Sequence, residues 1–335
     1  MTRGVALSAA LLATLATPAT WALALGAFLL RGGILLFALP IVVLPTPVGL
    51  GNVLGPTLTS IALGSATIDV AIAAVAITLG VLAWLVLGGW LAAGLEAAGA
   101  RIVARDEDVA ALAGPAVVTT MSRGSSGDAL IATRILLARL ISFLPLAIAL
   151  SWGSVRLVFV TYRELTDPVE VVTPIVLRVL SAAPEVIVAI VAAWMVGEIV
   201  GAMAARRIAM AGEGVLGALG RAATTSIRHP FSTLAWFWLP TFVLVVVLTT
   251  ASLGAASAWD AVRSILGEDA GPLWVLAAVV AFVVLWMIGL LLAGVVCAWR
   301  AAVWTVAEVV REGTFGGSSD RRPGDWRPDP SSANL

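Results

Sequence analysis

Six long stretches of mainly apolar residues, separated by short charged segments, dominate the pattern along this chain. They cover residues 32–51, 70–100, 140–162, 173–205, 230–252 and 272–299. About 20 apolar residues suffice for a helix to cross the hydrocarbon core of a bilayer. Apolar and polar positions do not alternate in these stretches, and open sheets cannot cross lipid, so helices are indicated. The pattern predicts an all-α membrane protein with six transmembrane helices, called spans one to six.

A short motif recurs near the start of each odd-numbered span and indicates that one unit is repeated three times. A Leu-Pro pair is followed 60 to 62 residues later by an arginine; the prolines are Pro40, Pro145 and Pro240, and the arginines are Arg101, Arg207 and Arg300. Proline removes a backbone donor and kinks a helix, so we interpret these prolines as shared kinks. The period predicts three two-helix units, about 4–105, 124–211 and 212–312, within one transmembrane domain, 1–312.

Short stretches before spans three and five are too polar to cross the membrane. Residues 128–139 and 214–228 carry arginines among apolar neighbours, which is typical of helices lying at a membrane interface. We predict a cytoplasmic interfacial elbow helix before each unit, with residues 5–30 as the first. A signal peptide and an extra span are the alternatives for residues 5–30. Residues 313–335 are rich in Gly, Pro, Ser, Asp and Arg and are predicted to form a disordered cytoplasmic tail.

The distribution of arginine sets the predicted orientation. With the N-terminus inside, the inner segments hold 16 of the arginines and the outer segments hold 4. Membrane proteins retain positive charge on the cytoplasmic side of their spans. The sequence therefore predicts a multi-pass protein of the bacterial cytoplasmic membrane with both termini in the cytoplasm.

Composition agrees with the membrane class and narrows the chemistry. The chain is 60% hydrophobic and 12% charged, with a mean hydropathy of +1.04 and no net charge. Soluble domains are about half apolar and about one quarter charged. A lone histidine, His229, does not build a metal cluster or a catalytic triad, and lone Cys297 has no intrachain disulfide partner. We predict no catalytic site, metal, cofactor or nucleic-acid partner, and hence no enzyme.

Four charged residues within the predicted spans are candidates for function, because a charge inside the membrane is costly unless it is paired, hydrated or used. Glu198 precedes Arg206 by eight residues, which places it about 12 Å along the helix from the predicted inner edge. Glu96 lies nearer that edge in span two. Arg178 and Glu185, at the outer end of span four, are seven residues apart and are predicted to share a helical face. For Glu198 the alternative is pairing with an arginine of another unit, or water that enters from the cytoplasm. For Glu96 the alternative is an interfacial position, and for Arg178 and Glu185 it is a solvated or interfacial ion pair.

Glycines mark comparable positions on the even-numbered spans. Gly197 and Gly201 form a Gly-x-x-x-Gly motif, and the corresponding residues of the other two spans are Gly89, Gly94, Gly289 and Gly294. Small residues let helix backbones approach closely in lipid. We predict that the even-numbered helices pack centrally, with Glu198 beside a close helix contact.

Several weak motifs occur together over residues 4–312: the elbow segments, the Arg-His-Pro sequence at 228–230, the Leu-Pro pairs and the basic end of each even span. This combination resembles a loose group of uncharacterised six-span integral membrane proteins of bacteria and archaea. The group includes the membrane-domain region of some glycerophosphodiester phosphodiesterases, whose catalytic part is a separate soluble domain with no counterpart in this sequence. The resemblance implies an architecture and identifies no functional residue.

Two functions from different classes fit these observations. The first is a scaffold or accessory subunit of a membrane or envelope system, since the spans hold few charges and no catalytic motif. The alternative is a transporter or channel for a small solute, an ion or a lipid, with a path between the three units. Convergence of the charged side chains on one cavity would favour the transporter. The expected partners are membrane lipids, including anionic lipid at the cytoplasmic face, and protein partners or further copies of the chain.

Overall fold

Helices make up nearly all of the described structure. The structure, a computed structural model, describes residues 3–38, 59, 64, 67–106, 109, 127–167, 173–267 and 271–319. Its helices are α1 (Arg3–Ala16), α2 (Pro18–Phe28), α3 (Ile34–Ala38), α4 (Ile68–Ala83), α5 (Gly89–Ala104), α6 (Asp128–Ser142), α7 (Leu144–Thr166), α8 (Ile175–Ala182), α9 (Pro184–Ala211), α10 (Val215–Arg228), α11 (Pro230–Gly267) and α12 (Pro272–Ser319). Two wider, π-helical turns, Leu29–Gly33 and Trp84–Gly88, join α2 to α3 and α4 to α5.

Within the described residues, six helical stretches are long and apolar enough to cross a membrane. They are Pro18–Ala38, Ile68–Ala104, Asp128–Thr166, Pro184–Ala211, Pro230–Gly267 and Pro272–Arg311. The prediction of an all-helical, multi-pass membrane protein is therefore confirmed. Most of these stretches exceed the roughly 20 residues that a bilayer requires, so their ends extend beyond the hydrocarbon core or tilt within it.

The first apolar stretch of membrane-crossing length among the described residues begins before the predicted first span, 32–51. The apolar helix covers Pro18–Ala38, whereas residues 39–51 of the predicted span lie outside the described residues. The prediction began the span after Arg31 because an arginine is costly in lipid. In the structure Arg31 donates a hydrogen bond to Glu96 on α5, and this pairing offsets that cost. Part of the segment predicted as an elbow, residues 5–30, thus belongs to an apolar helix of membrane-crossing length.

The prolines of the Leu-Pro motif occupy different positions in their helices. Pro145 lies in the first turn of α7, where its missing N–H leaves no intrahelical bond unmade. Pro240 lies inside α11, which is helical on both sides of it. Pro40 lies outside the described residues. A break at the motif is therefore present at Pro145, and α11 runs through the motif at Pro240.

Small side chains bring the helices together. The largest buried cluster lies among α5, α6, α9, α10 and neighbouring residues, and alanine is its commonest member. Lipid is as apolar as a leucine side chain, so close contact between backbones is what favours helix association in a membrane. Residues such as Ile72, Ile77 and Leu79 on α4 are exposed, as expected for side chains that face lipid. Tight contacts therefore concentrate around the alanine-rich helix segments.

Helix α12 continues well past its apolar stretch and packs against α1. Val303, Val306 and Val309 are buried there beside Ala6 and Ala10. An ion pair between Arg207 on α9 and Glu308 on α12 lies next to this contact and is largely buried. The helix ends at Ser319, inside the segment 313–335 that was predicted to be disordered; residues 320–335 lie outside the described residues.

Gly32 interrupts the apolar helix of the first span. Its φ of 103° lies in the left-handed region, which non-glycine residues avoid because of their Cβ atom. A Cβ added at Gly32 would meet no other atom within 4 Å, so the requirement for glycine is conformational and not steric. This backbone turn follows Arg31 directly and therefore helps to fix where the Arg31 side chain lies.

Replacing Gly32 with alanine is expected to lower the free energy of unfolding by about 1–2 kcal/mol, the cost of left-handed backbone for a residue with a Cβ atom. The measurement is thermal unfolding of the purified protein in lipid nanodiscs. Gly99→Ala is the control, because Gly99 is helical and nothing lies within 4 Å of its added Cβ. That change should be neutral or stabilise by up to about 1 kcal/mol. Equal behaviour of the two variants would contradict the assigned turn.

Candidate functional site

A pocket of about 650 Å³ lies between the six apolar stretches. Residues from α2, α3, α5, α6, α9, α11, α12 and the two wide turns line it. Its volume is within the range of about 300–1,000 Å³ typical of small-molecule sites. All of its charged lining residues lie in membrane-crossing stretches: Arg31, Glu96, Arg139, Glu198, Arg206 and Arg300.

Glu96 on α5 is the centre of this cluster and accepts hydrogen bonds from three arginines. Arg139 on α6 donates through Nη2 to Oε1 at 2.7 Å, and Arg206 on α9 donates through Nη1 to the same oxygen. Arg31 donates through Nη2 to the other oxygen, Oε2. The Glu96 side chain is 5% exposed and that of Arg206 is 3% exposed, so the contact between them is shielded from solvent.

Glu198 on α9 forms the second half of the cluster. Its Oε1 accepts a hydrogen bond from Nη2 of Arg300 on α12 at 2.6 Å. Its Oε2 lies 3.3 Å from Nη1 of Arg139, which also contacts Glu96. Arg139 therefore bridges the two carboxylates, and the combined network joins α5, α6, α9, α12 and the turn after α2.

The cluster carries more positive than negative charge. Four arginines and two glutamates line the pocket, which leaves a net charge of +2 when all six are ionised. Unbalanced charge in a region of low dielectric constant is unfavourable unless a counter-charge is bound there. The pocket is thus electrostatically suited to hold an anion.

Four buried hydrogen-bond donors without a partner belong to residues of the pocket lining. They are the Nε–H groups of Arg139 and Arg206, the hydroxyl of Thr241 and the indole Nε1–H of Trp304. A buried donor left unsatisfied costs about 1–3 kcal/mol. These atoms have almost no accessible surface, so a ligand in the pocket would reach them only after side chains move.

The opposite part of the pocket is apolar. Its lining there includes Leu36, Leu85, Leu140 and Val245, whose side chains are exposed. Along α9 the lining runs from Trp194 to Arg206, about 18 Å of helix axis, and therefore changes from apolar to charged. The pocket is amphipathic along its length.

The two π-helical turns meet beside the pocket. A Cβ added at Gly88 would lie 3.1 Å from the carbonyl oxygen of Leu30, so the backbones of the two turns are in close contact. Arg31 belongs to one turn and Trp84 to the other, and both residues line the pocket. Wide turns of this kind occur frequently at functional sites, where they displace a residue from the regular helical register.

Two of the four predicted site residues reach the pocket and two do not. Glu96 and Glu198 line it, whereas Arg178 and Glu185 lie outside its lining. Arg178 lies on α8 and contacts Glu164 of α7 at 3.6 Å. Glu185 lies on α9 and accepts a hydrogen bond from Nε of Arg156 at 3.1 Å.

The predicted shared face of Arg178 and Glu185 is not formed, because the chain leaves the helical conformation between them. Ala183 has φ −138° and ψ 54°, and α9 begins at Pro184. A residue before proline is disfavoured in the helical region. The predicted fourth span, 173–205, is continuous through this point, whereas the structure divides it into α8 and α9.

The predicted packing glycines differ in how closely they are contacted. A Cβ at Gly197 would lie 2.8 Å from the carbonyl oxygen of Ser142, and one at Gly201 would lie 2.6 Å from the hydroxyl of the same serine. At the other four positions, the nearest atom to the added Cβ belongs to a different side chain in each case. The residues and distances are Leu136 at 2.9 Å for Gly89, Ala132 at 3.9 Å for Gly94, Ala251 at 3.0 Å for Gly289 and Leu25 at 3.4 Å for Gly294. Glu198 follows Gly197 directly, so it lies beside a close contact between α6 and α9.

Sequence reasoning treated the arginines of the cluster as determinants of orientation and did not place them in a site. Arg31, Arg139, Arg206 and Arg300 were counted among the inner positive charges. Their position within apolar stretches was the available signal, since an arginine that only sets orientation can lie in a loop. Trp304 and Thr241 gave no signal in the sequence. Among the described residues, no group of histidine, cysteine and acidic side chains could hold a metal ion.

Comparisons of this chain with protein-family models, with curated proteins and with solved structures find no match.

Proposed function

We propose that this chain is a transporter of the bacterial cytoplasmic membrane, which moves an anion along a path between three two-helix units. The observation that carries this proposal is the convergence of Glu96 and Glu198 on one pocket with four arginines. That convergence is the feature expected of a transport path. Because the pocket has two more positive than negative charges, the substrate is expected to be negatively charged.

A scaffold is the second candidate, and one observation favours it. The ion pairs of Glu96 and Glu198 join helices that are far apart in sequence, as a structural network would. A purely structural network, however, is most stable when its charges balance and its donors are satisfied. The two surplus arginine charges therefore favour a ligand.

Catalysis by the glutamates is disfavoured by their surroundings. Each carboxylate contacts at least two arginines, which stabilise its ionised form and occupy its oxygen atoms. A general base needs an oxygen within hydrogen-bond reach of the proton that it removes. We assign Glu96 and Glu198 the role of holding the arginines in place.

The proposal includes the repeat and the orientation inferred from the sequence. In it, α6 and α10 are the elbow helices that lead into α7 and α11, and both termini lie in the cytoplasm. The charged part of the pocket lies toward the C-terminal parts of α5 and α9, near the predicted cytoplasmic edge. An anion would therefore meet the arginines from that side.

Reconstituted liposomes provide the test. The probes are radiolabelled glycerol 3-phosphate and phosphatidylglycerol with a fluorophore on one acyl chain, the second followed by chemical quenching in the outer leaflet. The variants are wild type, the double variant Arg31→Gln/Arg300→Gln, and Arg101→Gln as control. Arg101 pairs with Asp128 outside the pocket, so its loss should leave transport unchanged.

We expect at least one probe to cross faster with wild type and Arg101→Gln than in protein-free liposomes. Removal of both Arg31 and Arg300 cancels the pocket's net charge of +2 and is expected to slow that probe at least tenfold. Crossing of neither probe above the protein-free rate would refute transport of this class of anion and return the scaffold to first place.

A further inference from the structure

Arg31 and Arg300 have guanidinium N–H donors that do not bond to a glutamate. Their side chains are 36% and 20% exposed, the highest values in the cluster, and each donates through Nη2 to one glutamate. A guanidinium group has five N–H donors in a planar arrangement that matches the oxygens of a phosphate. The donors that these two arginines do not use on Glu96 or Glu198 are suited to bind a phosphate group.

The net charge of the pocket indicates which kind of phosphate group it fits best. A phosphate monoester carries about two negative charges at neutral pH, and a diester carries one. The net charge of +2 on the pocket therefore matches a monoester and exceeds a diester.

A phosphate group alone would leave the apolar part of the pocket unoccupied. Leu36, Leu85, Leu140 and Val245 line it and are exposed, which is unfavourable against water and favourable against a hydrocarbon chain. On the α4–α5 segment the lining extends from Trp84 to Glu96, about 18 Å along the axis. A small phosphate would contact only the charged end, whereas an acyl chain would cover the remainder.

We infer that the pocket binds a phosphate-bearing amphiphile, with its phosphate on Arg31 and Arg300 and an acyl chain along the apolar lining. This inference names the substrate class of the proposed transporter and rests on that function only for the movement of the ligand. Binding itself needs no transport, so the two claims can fail separately.

The test measures binding in non-ionic detergent, away from any transport. The unfolding temperature of the purified protein is followed while one compound is added: phosphatidic acid, phosphatidylglycerol, phosphatidylcholine or glycerol 3-phosphate. A ligand that binds the folded state raises this temperature in a saturable way. Glycerol 3-phosphate carries the phosphate monoester of phosphatidic acid without its acyl chains, so the pair isolates the contribution of the chains.

We expect phosphatidic acid to bind most tightly, phosphatidylglycerol next, and phosphatidylcholine and glycerol 3-phosphate at least tenfold more weakly than phosphatidic acid. Arg31→Gln and Arg300→Gln are each expected to weaken phosphatidic acid binding about tenfold to a hundredfold, since each loses charge-assisted hydrogen bonds. Arg101→Gln should bind as wild type does.

Three results would overturn the inference. Equal binding of glycerol 3-phosphate and phosphatidic acid would mean that the acyl chain is not recognised, and would leave an anion transporter standing. Equal binding of phosphatidylcholine and phosphatidic acid would mean that the pocket does not recognise the negative charge of the phosphate. Unchanged phosphatidic acid binding in both arginine variants would place the lipid outside this pocket. Tight binding of phosphatidylglycerol combined with no movement of labelled phosphatidylglycerol in liposomes would instead refute transport alone.

Discussion

Glu96→Gln is expected to destabilise the protein by about 3–5 kcal/mol, because it removes the carboxylate that three arginines share. The variant would leave four arginines and a single glutamate in the pocket, a net charge of +3. Glutamine has nearly the same shape and still offers one carbonyl oxygen. The loss is therefore assigned to charge and not to packing.

The size of this effect follows from the burial of Arg206. Its side chain is 3% exposed, and its described contacts are with Glu96 and with the carbonyl oxygen of Ala301 at 3.4 Å. Without the carboxylate, its guanidinium remains charged with almost no exposed surface. Removing one partner of a buried ion pair costs far more free energy than replacing both partners with apolar residues.

The experiment is equilibrium or thermal unfolding of wild type and variant in the same nanodiscs. Glu185→Gln is the matched control, since Glu185 also bonds to an arginine but in a contact where both side chains are nearly half exposed. No resolvable change is expected from that control, because exposed pairs contribute little. A Glu96→Gln variant that unfolds like the control would show that the cluster is hydrated or differently paired.

A double-mutant cycle tests the assignment to charge. Arg206→Gln removes the buried cation, so the combination of Arg206→Gln with Glu96→Gln should lose clearly less stability than the sum of the two single losses. Residues in one ion-pair network show coupling energies of about 0.5–3 kcal/mol. Additive losses would argue that the two side chains do not depend on each other.

The helical spans could be predicted from the sequence, whereas the pairing within the cluster could not. Span position depends on apolar length, which is a local property, and the five spans after the first overlap the helices of the structure. The partners of Glu96 are distant in sequence: Arg31, Arg139 and Arg206 lie 65, 43 and 110 residues away. The packing of α5, α6, α9 and the turn after α2 brings these residues together.

Arg31 also explains why the first span was predicted to begin at residue 32. Arg31 looked like the end of a cytoplasmic segment because an isolated arginine favours the membrane surface. Its ion pair with Glu96 on α5 changes that preference, and no local sequence pattern indicates this pairing. The break before Pro184 was more accessible to prediction, since a residue before proline avoids the helical region.

Gly197→Ala is expected to destabilise the protein by about 1–3 kcal/mol through overpacking of the contact between α6 and α9. The new Cβ would lie 2.8 Å from the carbonyl oxygen of Ser142 and 2.8 Å from Cδ1 of Phe143. The phenyl ring can rotate, but the carbonyl belongs to the backbone of α6, so the two helices must separate. Separation would also shift Glu198, the next residue, away from Arg139.

Unfolding in nanodiscs measures the loss, and Gly254→Ala provides the control. Gly254 lies inside α11, and an added Cβ there meets nothing within 4 Å. The control should be neutral or slightly stabilising, because alanine favours helix by up to about 1 kcal/mol over glycine. Helix propensity alone predicts the same gain at both positions, so any difference between them measures the close approach of α6 and α9. Equal stability of the two variants would mean that these helices can move apart at no cost, and that the Arg139 bridge does not depend on their contact.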